Sequence, residues 1–423
     1  LVVRTVVVPL YCALNVLSCT AVMVRTGLLS SPYCQAYLCW NDIEALMMRE
    51  REPRRRVYAS RYGLLNVDTL TDHTFRCHFR FEKADFPVLV KGLELPEYVI
   101  SAQGVRVPGH EALCMCLRRL AYPNRLCDLQ DFFGRHYSVI SSVTNRTMLH
   151  IEQRFGFLLD DLLCHQWLTP ADLRDMGNAV HLKGAPLQNC WAFIDGTARP
   201  ICRPSENQRL YFSGHKRVHA LKYQALMCPN GLICELDGPY PGSRHDAGIL
   251  RQSNLYQKLE QLVPGNDAVI YGDPAYPLRP LLMKPYGGAH LTSAQQNFNA
   301  AMSTVRQAVE WGFGKIIAQF AFLDFKKNQK LLLQAVPRMY RVAVLLTNCH
   351  ACMYGNQVSK YFCLEPPCLF DYLHPTQLYT MQFIVNSALG FGLVFLLLFL
   401  VLFPRLFLCL CLRVSCLQSS IGS

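Results

Sequence analysis

Two short apolar runs in this chain each deliver an aspartate. Trp191 to Ile194 leads into Asp195-Gly196, and Ala268 to Tyr271 leads into Gly272-Asp273-Pro274. Apolar runs of this length, bounded by glycine and proline, read as buried strands. Strands that are apolar on both sides need helices covering both faces of their sheet. Each of these two strands thus delivers a carboxylate at its C-terminal end. Between the two runs, VHALKYQALM (218–227) and LICELDG (232–238) flank Cys228-Pro229-Asn230-Gly231, a turn sequence that joins two strands as a hairpin. Further on, Met302, Val305, Val309 and Ile316 make the apolar face of a helix, and Asn299, Ser303, Arg306 and Glu310 share its polar face. Arg306 stands four residues before Glu310, where helical neighbours pair. Gly312 and Gly314 each cost a helix interior about 1 kcal/mol against Ala, which indicates close backbone approach or a helix end.

Two strand-end aspartates and a helical glutamate, Asp195, Asp273 and Glu310, offer hard oxygen ligands of the kind that select Mg²⁺ or Mn²⁺. Two such ions activate a water or 3′-hydroxyl and stabilise the leaving oxygen during attack on a phosphodiester. Strand-end aspartates occur in α/β proteins of every function, so the pattern alone leaves a structural reading open.

Upstream of the strands the pattern is helical. Leu113, Cys116, Leu117 and Leu120 fall on one stripe that YPNR (122–125) ends. A short helix carrying Leu126, Leu129 and Phe133 follows, Gly134 breaks it, and Ser138 is placed to cap a third helix with Ile140, Val143 and Ile151 inward. The outer face of that helix presents Ser141, Ser142, Thr144, Asn145 and Arg146, side chains suited to base edges and phosphates. A three-helix bundle with no such role has the same pattern.

With 423 residues, 51% of them hydrophobic and 17% charged, the chain is long enough for two packed domains and too apolar to be disordered. Lys and Arg total 42 against 30 Asp and Glu, a net charge of +12 that suits a polyanionic partner or a membrane surface. REREPRRR (49–56) fits phosphates or an import receptor, or is simply solvated. The 20 cysteines are scattered and read as reduced core thiols; Cys349 and Cys352 form a C-x-x-C without a second pair to complete a zinc site.

Both ends are apolar. Residues 6–24 have the character of a signal sequence without a clean cleavage site. The chain opens on Leu1, which is expected to mark a fragment or an upstream extension of the reading frame. Residues 383–403 contain one Asn and no charge, long enough to cross a bilayer as a helix, so either a tail anchor or sequence unrelated to the preceding domain is expected there.

Phe193-Ile194-Asp195-Gly196-Thr197, GHKRVHALKYQ (214–224), PNGL (229–232), RHD (244–246), GDPAYP (272–277) and VEWGFG (309–314) together resemble the nuclease domain of Harbinger-type DDE transposases. EALCMCLRRLAYPNRLCDLQDFFGRHYSVISSV (111–143) resembles the helix-turn-helix region of that family, and the likeness runs from about residue 49 to 372. It implies an α/β fold, an RNase H-like mixed sheet flanked by helices, preceded by an all-α helix-turn-helix region; the candidate transmembrane helix, 383–403, lies outside the resemblance. The resemblance implies a metal-dependent cut-and-join reaction on DNA using two Mg²⁺ or Mn²⁺ ions. Asp195, Asp273 and Glu310 take the places of the three catalytic, metal-binding acids; at the second, Pro274 and Ala275 stand between GD and Tyr where the family usually has one small residue. Asp246 and His245 of RHD are auxiliary candidates, with helix capping as the other reading of Asp246. His215, Lys216 and Arg217, a basic cluster placed next to the first aspartate, are candidates for phosphate contact together with Ser141, Asn145 and Arg146; an exposed hairpin edge also accounts for the cluster. The resemblance further implies a separate Myb-like DNA-binding partner; a DNA nuclease is expected in the nucleus, and a homo-oligomer is compatible with the sequence, which leaves the oligomeric state open. The other class of protein compatible with these residues is a domesticated DNA-binding protein that does not cut, membrane-anchored if 383–403 spans a bilayer.

The expected organisation is an apolar extension (1–48), a basic arm (49–62), a helical DNA-binding region (75–185), a nuclease domain (188–355) and its tail (356–382). The candidate membrane helix (383–403) and a terminal tail (404–423) complete it.

Overall fold

The computed structural model describes residues 63–375 apart from 266 and 332. The N-terminal apolar run, the basic arm and residues 383–403 lie outside the described residues. Among those described, no helix is long and apolar enough to cross a membrane.

The helical region begins with α1 (Asp72–Phe79), capped by the Thr71 hydroxyl, which accepts from the Thr74 amide. It ends at Arg80 in the left-handed region, and α2 (Phe86–Gly92) follows. Strands β1 (Tyr98–Ile100) and β2 (Arg106–Pro108) then pair antiparallel, so the region expected to be all helical carries a small hairpin. Tyr98-Val99-Ile100 has strand propensity, and Gly104 at φ 77° lets the chain reverse. Next come α3 (Gly109–Ala121), α4 (Leu126–Phe133) and α5 (Tyr137–Phe155). Helix α3 is buried almost all round; its Glu111 carboxylate accepts two bonds from the Arg135 guanidinium, at 2.6 and 2.7 Å. Gly134 ends α4 at φ 64°, and a β-carbon there would collide with the Gly63 carbonyl. The cap of α5 is His136 rather than Ser138: its imidazole accepts from the Ser138 amide.

Helix α6 (Pro170–Leu182), with Thr169 and Asp172 closing a capping box, packs on β3 (Cys190–Pro200). The sheet continues with β4 (Phe212–Ser213), β5 (Val218–Met227), β6 (Ile233–Pro241), β7 (Val269–Tyr271) and β8 (Leu282–Met283). β3, β5 and β6 pair antiparallel, while β3, β7 and β8 run parallel. Helix α7 (Asp246–Gln252) lies between β6 and β7, and α8 (Ser293–Gln319) and α9 (Val336–Tyr354) follow the sheet. The protein is thus mixed α/β, with a mixed sheet flanked by helices.

Strand alternation divides the core into two clusters. Phe193, Ala225, Met227 and Tyr271 join α3, α5, α8 and α9 in one; Ile194, Leu226, Ile270 and Leu282 join α6 and α7 in the other. The helical region and one face of the sheet therefore share a continuous apolar cluster, from Phe75 to Leu373. Gly312 lies against this face: a β-carbon there would overlap Met227 Cε, and α8 runs on unbroken to Gln319. Close approach, rather than a helix end, accounts for that glycine. All cysteines among the described residues are free thiols.

Candidate active site

The β3 strand does not stop at Asp195 but runs five residues further, so this aspartate sits mid-strand, opposite Ala225 of β5. Its parallel neighbour β7 does stop, at Tyr271 opposite Phe193. Two residues beyond that pair come Asp195, still within β3, and Asp273, in the turn that follows β7, near enough for the Asp273 charge to act on the Asp195 carboxyl. Period-two alternation puts Asp195 on the face of Phe193, the face covered by α8. The Asp273 carboxylate also closes its own turn by accepting from the Ala275 amide at 3.0 Å.

Burial is the main influence on Asp195, pushing its carboxyl up to about 6; the Arg306 guanidinium and the Gly196 amide oppose this, and the Asp273 and Asp246 charges add to it. Arg306 reaches down from α8 with Nη2 2.9 Å from Asp195 Oδ1. Its partner is thus the strand aspartate, and not Glu310 as helical spacing suggests. The buried acid draws the nearest cation, and the i+4 glutamate is left in solvent. Glu310 is exposed and makes no ion pair among the described residues. At 3.6 residues per turn it is rotated about 40° further from the sheet than Arg306. The Asn299 side chain on the same stripe accepts from the Tyr286 amide and donates to the Tyr286 carbonyl.

Asp246 approaches β3 from the other side. The position a β-carbon would take on Gly196 is 2.8 Å from Asp246 Oδ1, and alternation points that direction away from the Asp195 face. Asp246 is the first residue of α7, capped by exposed His245, and its carboxylate pairs with Lys222 Nζ of β5 at 3.2 Å. Tyr276 packs on this side too, against Ile194. Its hydroxyl is buried without a hydrogen-bond partner, and its pKa is raised by burial and then by the Asp246, Asp195 and Asp273 charges. Lys222 and Tyr276 escaped the sequence reading; their signals were the lysine of VHALKYQALM and the tyrosine of GDPAYP.

The basic cluster is not beside Asp195. His215, Lys216 and Arg217 form the exposed tip of the β4–β5 turn, with Arg217 at φ 53°. From Ala225, opposite Asp195, to Arg217 is eight residues along β5, about 26 Å if fully extended. On α5, Arg146 Nη1 donates to the Ile100 carbonyl and the Ser142 hydroxyl accepts from the Ala102 amide. The β1–β2 hairpin therefore occupies part of the face expected to meet DNA, and Thr144 is buried. Ser141 is half-buried and Asn145 is exposed.

The donors at the Asp195 face are carboxylate oxygens, one of them buried and held against a cation, and this chemistry suits a hard divalent ion. Among the described residues, however, no three Asp, Glu, His or Cys side chains converge closely enough to hold one ion. The Asp273 charge acts on the buried Asp195 carboxyl, and Glu310 is exposed on α8.

Residues 194–348 match the family model described as DDE superfamily endonuclease, a span that contains Asp195, Asp273 and Glu310. The chain is 25% identical to "Protein ALP1-like" of Arabidopsis thaliana over 267 residues, 59% of this chain and 61% of that protein. It is 28% identical to "Putative nuclease HARBI1" of Homo sapiens over 121 residues, 28% of this chain and 34% of that protein. The matches thus span less than two thirds of either relative. No solved structure matches.

Proposed function

We propose that the chain is a divalent-metal-dependent endonuclease acting on DNA, of the kind that Harbinger-type transposases use, a reading supported by the match of residues 194–348 to the DDE superfamily endonuclease model. The observation that supports the reading is the parallel pairing of β3 with β7, after which Asp195 and Asp273 follow at the same end of the sheet. The mixed sheet is consistent with an RNase H-like fold, and a net charge of +12 favours a polyanionic substrate.

Asp195 and Asp273 would hold the metal, with Glu310 the third candidate ligand; Mg²⁺ or Mn²⁺ bound there supplies Lewis-acid activation of the attacking oxygen and charge stabilisation on the leaving one. The chain's own groups prepare the site. Burial keeps bulk water from the Asp195 carboxylate and strengthens its attraction for any cation. Arg306 neutralises that carboxylate and so lets two adjacent acids coexist. The Asp246–Lys222 pair fixes the back of β3, and the Tyr276 hydroxyl stays protonated as a donor next to the acids. Nuclear residence follows from a DNA substrate.

The exposed, unpaired Glu310 favours a second reading, in which the chain is a transposase-derived DNA-binding protein that does not cut. Incubating the purified full chain with labelled duplex and plasmid DNA under Mg²⁺ or Mn²⁺, beside Asp195→Asn, separates the two. Cleavage by the parent alone, with DNA binding equal in both, supports the nuclease. Equal cleavage by the variant removes Asp195 from the site, and binding without cleavage by the parent favours the binder.

A further inference from the structure

A second cationic site lies on the far part of α8. Arg76 and Arg80 from the end of α1, Lys315 and Gln319 from α8 and His350 from α9 line a cavity of about 340 Å³. Lys315 is nine residues beyond Arg306, about 13.5 Å along the helix, or roughly four steps of a duplex axis at 3.4 Å each. Positive charge is in excess here. Arg76 pairs with Glu82 at 3.1 Å, whereas Arg80 and Lys315 have no carboxylate partner among the described residues. Arg80 spends Nε on the Gln319 carbonyl, at 3.1 Å, and Nη1 on the Cys77 carbonyl, at 2.9 Å, which leaves Nη2 to bind elsewhere. Arg118 adds a further unpaired cation, stacked with Arg80 on the Tyr122 ring.

The polar groups of the cavity are unsatisfied. Gln319 is 5% exposed, and neither its Oε1 nor its Nε2 has a hydrogen-bond partner. His350 Nδ1 is likewise buried and unpaired. Burial, then the Lys315 charge, lowers the His350 imidazole to about 3, and burial, then Lys360, lowers the Lys315 ammonium. Half-buried cations beside unpaired donors make a poor structural contact and a good anion receptor: a buried amide without partners calls for an explanation, and an anion answers both the charge and the donors. The guanidinium and ammonium donors suit phosphate oxygens.

We propose that this cavity binds a phosphate of the DNA backbone, a contact separate from the Asp195–Asp273 pair; it rests on the reading of DNA as substrate. Such a contact positions the strand without reading its sequence.

The test uses the full chain, Lys315→Gln and Gln319→Leu, with inorganic phosphate and a DNA duplex as separate probes. Phosphate binding is followed through the His350 imidazole resonances, and DNA affinity is measured across a salt series. Lys315 and the Gln319 side chain make no hydrogen bond among the described residues, so both variants are expected to fold. Expected are a phosphate-dependent His350 shift that both variants lose, and for Lys315→Gln a severalfold weaker DNA affinity with a log–log salt slope shallower by about 0.9. If the parent binds DNA and the variants keep its salt slope, the backbone assignment falls while the DNA reading stands. A phosphate response without any change in DNA binding assigns the cavity to a free phosphate or phosphorylated small molecule, against the proposal. A parent that binds no duplex overturns both readings.

Discussion

Arg306 and Asp195 form an ion pair with Nη2 2.9 Å from Oδ1, joining the middle of helix α8 to the middle of strand β3. Both side chains are mostly buried, 21% and 17% exposed. The guanidinium thus holds the charge position that a divalent ion at Asp195 would compete for.

Competition has a measurable sign. Replacing Arg306 with Gln removes the rival cation, so at pH 8 the Mn²⁺ affinity in calorimetric titration is expected to rise by about fivefold, the equivalent of roughly 1 kcal/mol. Unchanged or weaker Mn²⁺ binding by Arg306→Gln would show that guanidinium and ion do not share the carboxylate.

Gly196→Ala tests whether Asp246 belongs to the metal site. The new methyl would sit 2.8 Å from Asp246 Oδ1 and 3.0 Å from its Cγ, forcing that side chain off Lys222. Stability in urea is expected to fall by about 1–2 kcal/mol. Because Asp246 lies behind the strand, Mn²⁺ affinity is expected to stay within about twofold; a drop of tenfold or more would make Asp246 a ligand.

The two glycines of α8 should respond oppositely to alanine. At Gly312 the added methyl meets Met227 Cε in the core and should cost about 1–3 kcal/mol. At Gly314 nothing lies within 4 Å, so alanine should add up to about 1 kcal/mol of helix stability. Equal effects in urea denaturation would contradict the packing of α8 on β5.

His165 sets an acid limit. It is 4% exposed, Nε2 lies 2.8 Å from the Cys234 carbonyl, and burial lowers its pKa from 6.5 to about 4. A base depressed in the folded state contributes stability above its unfolded pKa and loses it as pH falls towards the folded one. Between about pH 6.5 and 4 this group should remove about 3 kcal/mol, because the unfolded chain takes up the proton first. Denaturation midpoints measured across that window should decline less steeply for His165→Gln.

Local patterns were legible from residues alone. The apolar runs around Trp191 and Val269, the Pro-Asn-Gly turn, the stripes of α3 and α8 and the break at Gly134 depend on near neighbours, and each lies where periodicity and turn chemistry put it. The β1–β2 hairpin was missed because its strands are three residues long, too short for a period to show. The basic cluster was misplaced because closeness in sequence to Asp195 says nothing about direction along a strand.

The sequence by itself determined the strand and helix pattern of this chain and which carboxylates lie after a strand or on a helix, because strand and helix periods and turn residues are local properties. Which of those carboxylates meet was decided only by the tertiary structure. Parallel pairing of β3 with β7 brings Asp195 and Asp273 to the same end of the sheet, the alternation of β3 sends Asp246 behind the strand, and the rotation of α8 gives Arg306, rather than Glu310, to the buried acid. Register and helix rotation follow from burying Phe193, Met227, Val305 and Val309 in one core, and that cooperative packing is a property of the whole molecule.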